Sequence, residues 1–183
     1  MPAPAMPAAT PTPVETVERF LAATTSADPG DLADCYAEQV VIEMPFAPAA
    51  LYPSRIETGR EELRTRFRAG TALRTYQRVD RVRIHRTADP AVVITEYDLH
   101  GRMAADGEAF TLSFLMVITV REGRIVHTRD YTDPIAGAQA LGRLPALLAA
   151  LTEGAAEETA QDTAETAGHS PAERSGQEDA SRG

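Results

Sequence analysis

Glu96, Asp98 and His100 in TEYDLH, together with Asp130 in HTRDY, fall in segments whose periodicity reads as strand. Carboxylates and imidazoles are the groups that move protons in catalysis, and a free histidine titrates at about 6.5. Ionisable residues on a strand face do not by themselves make a site, since they are also what the solvated side of a half-buried sheet carries. Metal chemistry has no comparable signal. One cysteine, Cys35, excludes an internal disulfide, and four histidines without Cys-x-x-Cys or His-Glu-x-x-His spacing give no metal motif, so no metal is expected.

The chain that must position these groups has 183 residues, 43% of them hydrophobic and 25% charged, which is the composition of one globular domain. No apolar run approaches the roughly 18 to 20 residues of a membrane span, and the longest, Phe114 to Val120, has the length of a buried strand. The opening MPAPAMPAATPTP has neither a basic residue nor an apolar stretch of signal-peptide type, so a cytoplasmic protein is expected. The net charge is −9, but eight acids and only two arginines lie in residues 153–183. The body is therefore near neutral, with no electrostatic footprint for nucleic acid. Residues 1–12 are mostly Pro, Ala and Thr, and residues 153–183 are rich in Ala, Glu, Thr, Gln and Ser, so both are expected to be disordered around a folded domain over 13–152.

Within that domain Val14, Val17, Phe20 and Leu21 fall at helical spacing, with Thr12 as cap, Pro13 at the first helical position and Glu15 and Glu18 in the opening turns. Asp28-Pro29-Gly30-Asp31 makes a turn, and Leu32, Cys35 and Tyr36 suggest a short second helix. Val40 to Met44 is a strand stopped by Pro45, residues 46–58 a long loop, and Arg60 to Leu73 a third helix carrying Leu63 and Phe67. Strands follow over Tyr76–Arg86, Ala91–Met103, Phe110–Arg121 and Arg124–Thr132, the first with an ambiguous phase because Val79 is out of step with Val82 and Ile84. Leu141, Leu144, Leu147, Leu148 and Leu151 suggest a last short helix. Helices first and a sheet after is an α+β order.

Turn lengths assign faces. A two-residue Glu122-Gly123 loop opposes Val117 to Thr128, Leu115 to Asp130 and Ser113 to Thr132, leaving Leu112, Phe114, Met116 and Ile118 on the other face. A two-residue Asp106-Gly107 loop puts Glu96, Asp98 and His100 on the Asp130 face. A three-residue loop from Ala105 to Gly107 puts Tyr97 and Leu99 there instead.

Three segments carry a resemblance: VERFLAATTSADPGDLADCYAEQVVIEMP at 17–45, ETGREELRTRF at 57–67 and REGRIVHTRDYTDPIAGAQALG at 121–142. They resemble the SnoaL-like branch of the nuclear-transport-factor-2-like superfamily, which includes ketosteroid isomerases, limonene-epoxide hydrolases, polyketide cyclases and phenazine-biosynthesis proteins. The resemblance implies an α+β cone, a curled antiparallel sheet packed by N-terminal helices around a pocket, usually a homodimer through the outer sheet face. It points Asp130 into the pocket and makes Leu112, Phe114, Met116 and Ile118 a candidate dimer interface. Positions that hold a Tyr and an Asp in ketosteroid isomerases look like Phe20 and Met44 here. The inward Arg and Asp of limonene-epoxide hydrolases look like Tyr97 and Leu99, which favours the three-residue loop and turns Asp98 and His100 away.

What remains is one acid in an apolar cone, closest to the cofactor-free cyclase and phenazine-type members. The expected function is a cofactor-independent isomerase or cyclase moving a proton on a small hydrophobic metabolite, plausibly of specialised metabolism. The alternative is a non-catalytic ligand-binding or dimerisation module. Asp130 is the candidate catalytic acid or base, its pKa raised by desolvation. Tyr97 would be its hydrogen-bond partner, or simply core. Leu99, Leu115 and Phe20 would line the pocket, and Phe46 and Tyr52 in the long loop would close over the ligand.

Overall fold

A computed structural model describes residues 9–48 and 52–153. The expected extensions lie outside the described residues over 1–8 and 154–183. Residues 9–12 are described, and Pro11 rests against Gly123. The chain divides into two compact units, Met1–Leu147 and Leu148–Gly183; of the second, the described residues 148–153 are helical. No helix among the described residues is long and apolar enough to cross a membrane.

Helix α1 (Pro13–Ala23) starts with the expected cap. The Thr12 backbone N–H donates to Glu15 Oε2 at 2.7 Å and the Glu15 N–H to Thr12 Oγ1 at 3.3 Å, a reciprocal pair that satisfies two otherwise open donors. Its buried stripe is Thr16, Val17, Phe20 and Leu21. The expected second helix is a 3-10 turn, Pro29–Cys35, capped by Asp28 Oδ1 on the Gly30 N–H at 2.7 Å. Tyr36, expected in that helix, instead opens strand β1 (Tyr36–Glu43), because its backbone pairs with Ile125.

The expected loop over 46–58 contains strand β2 (Arg55–Gly59), an edge strand paired antiparallel to β1; residues 49–51 of that loop lie outside the described residues. Helix α2 (Arg60–Gly70) stops short of Leu73, which is half exposed. Arg64 ties it to the 3-10 turn through Gly30 O at 2.6 Å and Asp34 Oδ1 at 2.7 Å. Strands β3 (Arg74–Arg86), β4 (Val92–Met103), β5 (Ala109–Arg121) and β6 (Arg124–Thr132) follow, then helix α3 (Pro134–Ala140), which the leucine pattern after it had hidden.

The six strands form one curled sheet in the order β2-β1-β6-β5-β4-β3, antiparallel except for the parallel β1–β6 pair. The fold is therefore the expected α+β cone built on a mixed sheet. Bulges supply the curl. In β3 one extra residue enters between Tyr76 and Arg78 and another between Asp80 and Arg83, where Arg81 adopts φ 55°. That second bulge is why Val79 and Ile84 both turn inward although the plain alternation between them fails, and why Val82 is left 44% exposed.

Two other one-residue shifts change the expected faces. The β5–β6 hairpin starts with Arg121 opposite Arg124, but a bulge at Val126 moves every later pair by one, so Asp130 lies opposite Met116, not Leu115. The β4–β5 turn is longer than either expected length: Met103 N–H donates to Glu108 O at 2.9 Å across residues 104–107, closed by Gly107 at φ 73°. Tyr97 then faces Phe114 and Leu99 faces Leu112. Both shifts flip β5 relative to its neighbours, so Leu112, Phe114, Met116 and Ile118 line the interior and cannot form the expected dimer face. Met116 and Ile118 are sealed inside, while Leu115 is 40% exposed on the outer face.

Candidate functional site

Asp130 ends up where both one-residue shifts cancel: on the concave face, beside Tyr97 and Leu99 as expected but against Met116 and Phe114 rather than Leu115. Its Oδ1 is out of contact with solvent and has no hydrogen-bond partner among the described residues. The hydroxyls of Thr95, two strands across in the same row of the sheet, and Thr128, two residues before it, are equally buried and without a partner among the described residues. Desolvation pushes the Asp130 pKa up from 3.8 to about 6; the Thr128 hydroxyl, near but not in full hydrogen-bonding geometry, pulls it weakly back. A carboxylic acid poised near 6 can hold or release a proton at physiological pH.

Two adjoining cavities meet at this carboxyl group. The smaller, about 280 Å³, is walled by Met44, Phe46, Tyr52, Phe110, Leu112 and α3. The larger, about 460 Å³, lies between the end of α1, the 3-10 turn and α2, with Phe20, Tyr36, Tyr97, Leu99 and Met116 in its wall. Arg74, Tyr76, Phe114 and Asp130 border both. The walls are mostly apolar, the usual make-up of a small-molecule site with few polar anchors.

Each expected site residue now has a place. Tyr97 is buried and stacks flat on Phe114, ring centroids 5.0 Å apart, but its hydroxyl donates to Met116 Sδ at 3.2 Å and not to Asp130. Phe20 packs edge-on against Tyr36 at 6.1 Å. Phe46, 63% exposed, stands at the rim against Tyr131, and Tyr52 beside it lies under the Arg143 guanidinium, 5.6 Å from its ring centre. Leu115 is outside the cavity altogether.

Asp98 and His100 face away, as the resemblance implied. There Asp98 accepts from Ser113 Oγ at 2.7 Å and from Arg81 at 3.1 Å, contacts that hold its carboxyl below the usual range. His100 meets Asp80 at 3.0 Å. Asp80, Asp98 and His100 are near enough to share a cation. Arg78 and Arg81 already neutralise the two carboxylates, so the group reads as an ion-pair network.

Sequence reasoning missed Arg74, Tyr76 and Tyr36. Arg74 Nε donates to Tyr76 Oη at 2.6 Å and its guanidinium lies 5.4 Å from the ring centre, fixing both at the junction. The alternation Arg74, Tyr76 was the available signal, obscured by extending α2 to Leu73. Gly101, paired with Tyr76 and Phe110, makes room for the junction: a Cβ there would come within 2.5 Å of both the Phe110 ring and Thr75 O. Tyr36 and Tyr97 are driven well above the ordinary phenol pKa by burial, with the Asp130 charge adding to it, so both stay protonated at neutral pH.

The cone, its cavity and the order of elements define a class that the comparisons bear out: the chain belongs to the SnoaL-like domain family, whose model matches residues 17–128. That match ends two residues before Asp130. The uncharacterised protein YesE of Bacillus subtilis is 30% identical over 128 residues, covering 70% of this chain and 86% of YesE. Among solved structures, an isomerase by provisional assignment from Bacillus subtilis is 29% identical with a TM-score of 0.64, covering 71% of this chain and 92% of its own. A limonene-epoxide-hydrolase-like epoxide hydrolase of M. tuberculosis is 26% identical with a TM-score of 0.53, covering 75% and 94%.

Proposed function

We propose that the cone is a cofactor-independent acid/base site that isomerises or cyclises a small hydrophobic metabolite, with Asp130 carrying the proton. The observation that supports this most is a carboxyl group with an unpartnered, desolvated oxygen at the meeting of two largely apolar cavities. Folds leave buried polar atoms unsatisfied rarely, and a catalytic role is one of the reasons for such an atom. In its ionised form Asp130 takes a proton from an activated C–H bond and returns it at another position, so the enzyme ends unchanged. Tyr76, whose oxygen accepts from Arg74, keeps its own hydrogen to donate to a developing oxyanion. Epoxide-opening chemistry is not adopted, because Tyr97 and Leu99 occupy the positions likened to the inward Arg and Asp of limonene-epoxide hydrolases.

The test is α-proton exchange of 2-tetralone in D2O, followed by NMR with the full chain. The wild type should exchange those protons faster than buffer, and Asp130→Asn should be slower by roughly 100 to 10,000-fold, the range for one acid/base group. Binding of tetralone with exchange at the buffer rate would make the cone a ligand-binding module instead.

A further inference from the structure

Resting on the reading of these cavities as a substrate site, we propose that Arg74 determines specificity: the ligand is an organic anion, a compact ring system bearing a carboxylate that the Arg74 guanidinium receives at the junction of the two chambers. Arg74 borders both chambers and, among the described residues, makes no ion pair. The other arginine of the larger chamber, Arg66, is already held by Glu62 at 2.6 Å. In the smaller chamber Asp133 spends its Oδ1 on the first N–H groups of α3.

The junction therefore holds one acid and one cation that face the same space without touching. Asp130 and Arg74 both border the two chambers and form no ion pair with each other. Among the described residues only Nε of Arg74 is engaged, on Tyr76, and this bond with the stacking on the Tyr76 ring orients the fork and leaves the Nη groups without a described partner. A planar fork fixed at Nε and open at Nη matches a carboxylate in two-point contact. The apolar chambers on either side take the ring system, of a size that cavities in this volume range enclose.

The experiment uses 2-naphthoate and 2-naphthamide, nearly identical in shape and different in charge, titrated calorimetrically into the full-length wild type, Arg74→Gln and Arg74→Lys. The wild type should prefer naphthoate by roughly tenfold or more, the effect of one charge-assisted two-point contact. Arg74→Gln should lose that preference while binding the amide within about twofold of wild type, and Arg74→Lys should keep part of it. Should Arg74→Gln fail to fold, the Arg74 Nε–H resonance of the wild type reads the same contact, shifting with naphthoate and not with naphthamide. Equal affinity for both probes, no naphthoate binding at millimolar concentration, a preference that survives in Arg74→Gln, or an unmoved Nε–H resonance each overturns the proposal. Loss of tetralone exchange alone would remove the catalytic reading and leave the anion site standing, and exchange without charge preference would do the opposite.

Discussion

Asp130 is a buried acid whose Oδ1 finds no hydrogen-bond partner among the described residues. Asp28 is pulled down to about 2 by Arg68 and the Gly30 N–H, and Asp34 is lowered by Arg64, both by hydrogen bonds to the charged form. For Asp130 desolvation is the largest influence and acts the other way, outweighing the lowering by the Thr128 hydroxyl. The prediction at this scale is spectroscopic: the Asp130 carboxyl carbon should titrate near pH 6 by NMR in the intact protein. A midpoint near 3.8 would mean that solvent or a cation reaches the group and that it is unsuited to neutral-pH proton transfer. Tyr97 is a smaller lesson. Its inward direction was legible, but its hydroxyl partner was not, because the neighbour that captures it is a methionine sulfur on the adjacent strand.

At the scale of elements, the capping of α1 by Thr12 and Glu15 and the start of α2 at Arg60 were readable because caps and charges act over three or four residues. Strand faces were not, because a single inserted residue inverts them. Val126 makes that insertion in β6 without any glycine or proline to mark it, and the turn at residues 104–107 adds a second displacement. Asp130, Tyr97 and Leu99 were grouped correctly only because the resemblance chose the loop; counting alone assigned Leu115 to the pocket and Met116 to the outside. Strand β2 escaped notice because an edge strand with the sequence RIETG has one aliphatic residue. The register can be tested directly. Met116→Ala should lower stability by about 2 to 5 kcal/mol, as for a fully buried side chain, whereas Leu115→Ala should cost under about 1 kcal/mol. Chemical denaturation of the two variants gives the answer, and the opposite ranking would restore the face assignment of an unbulged hairpin.

At the scale of the whole domain, the interior is divided. Val17, Val93, Ile118 and Ile125 are sealed where α1 and the sheet close on each other, while the wider end of the cone stays open in two chambers around an unpaired acid. An interior kept hollow and charged forgoes packing that would otherwise stabilise it. The sign of the Asp130 contribution follows from its raised pKa. Between pH 3.8 and about 6 the folded protein binds the proton that the unfolded chain has released, so this group favours folding at low pH and loses that contribution as pH rises through 6.

Unfolding free energies of the wild type and Asp130→Asn at pH 4 and pH 8 therefore separate a site acid from a structural one. Asparagine cannot ionise, so the stability of the variant relative to the wild type should increase by on the order of 2 kcal/mol between pH 4 and pH 8. A relative stability that stays level, or that falls toward pH 8, would contradict the central claim, because it would mean that the ionised carboxylate serves the fold.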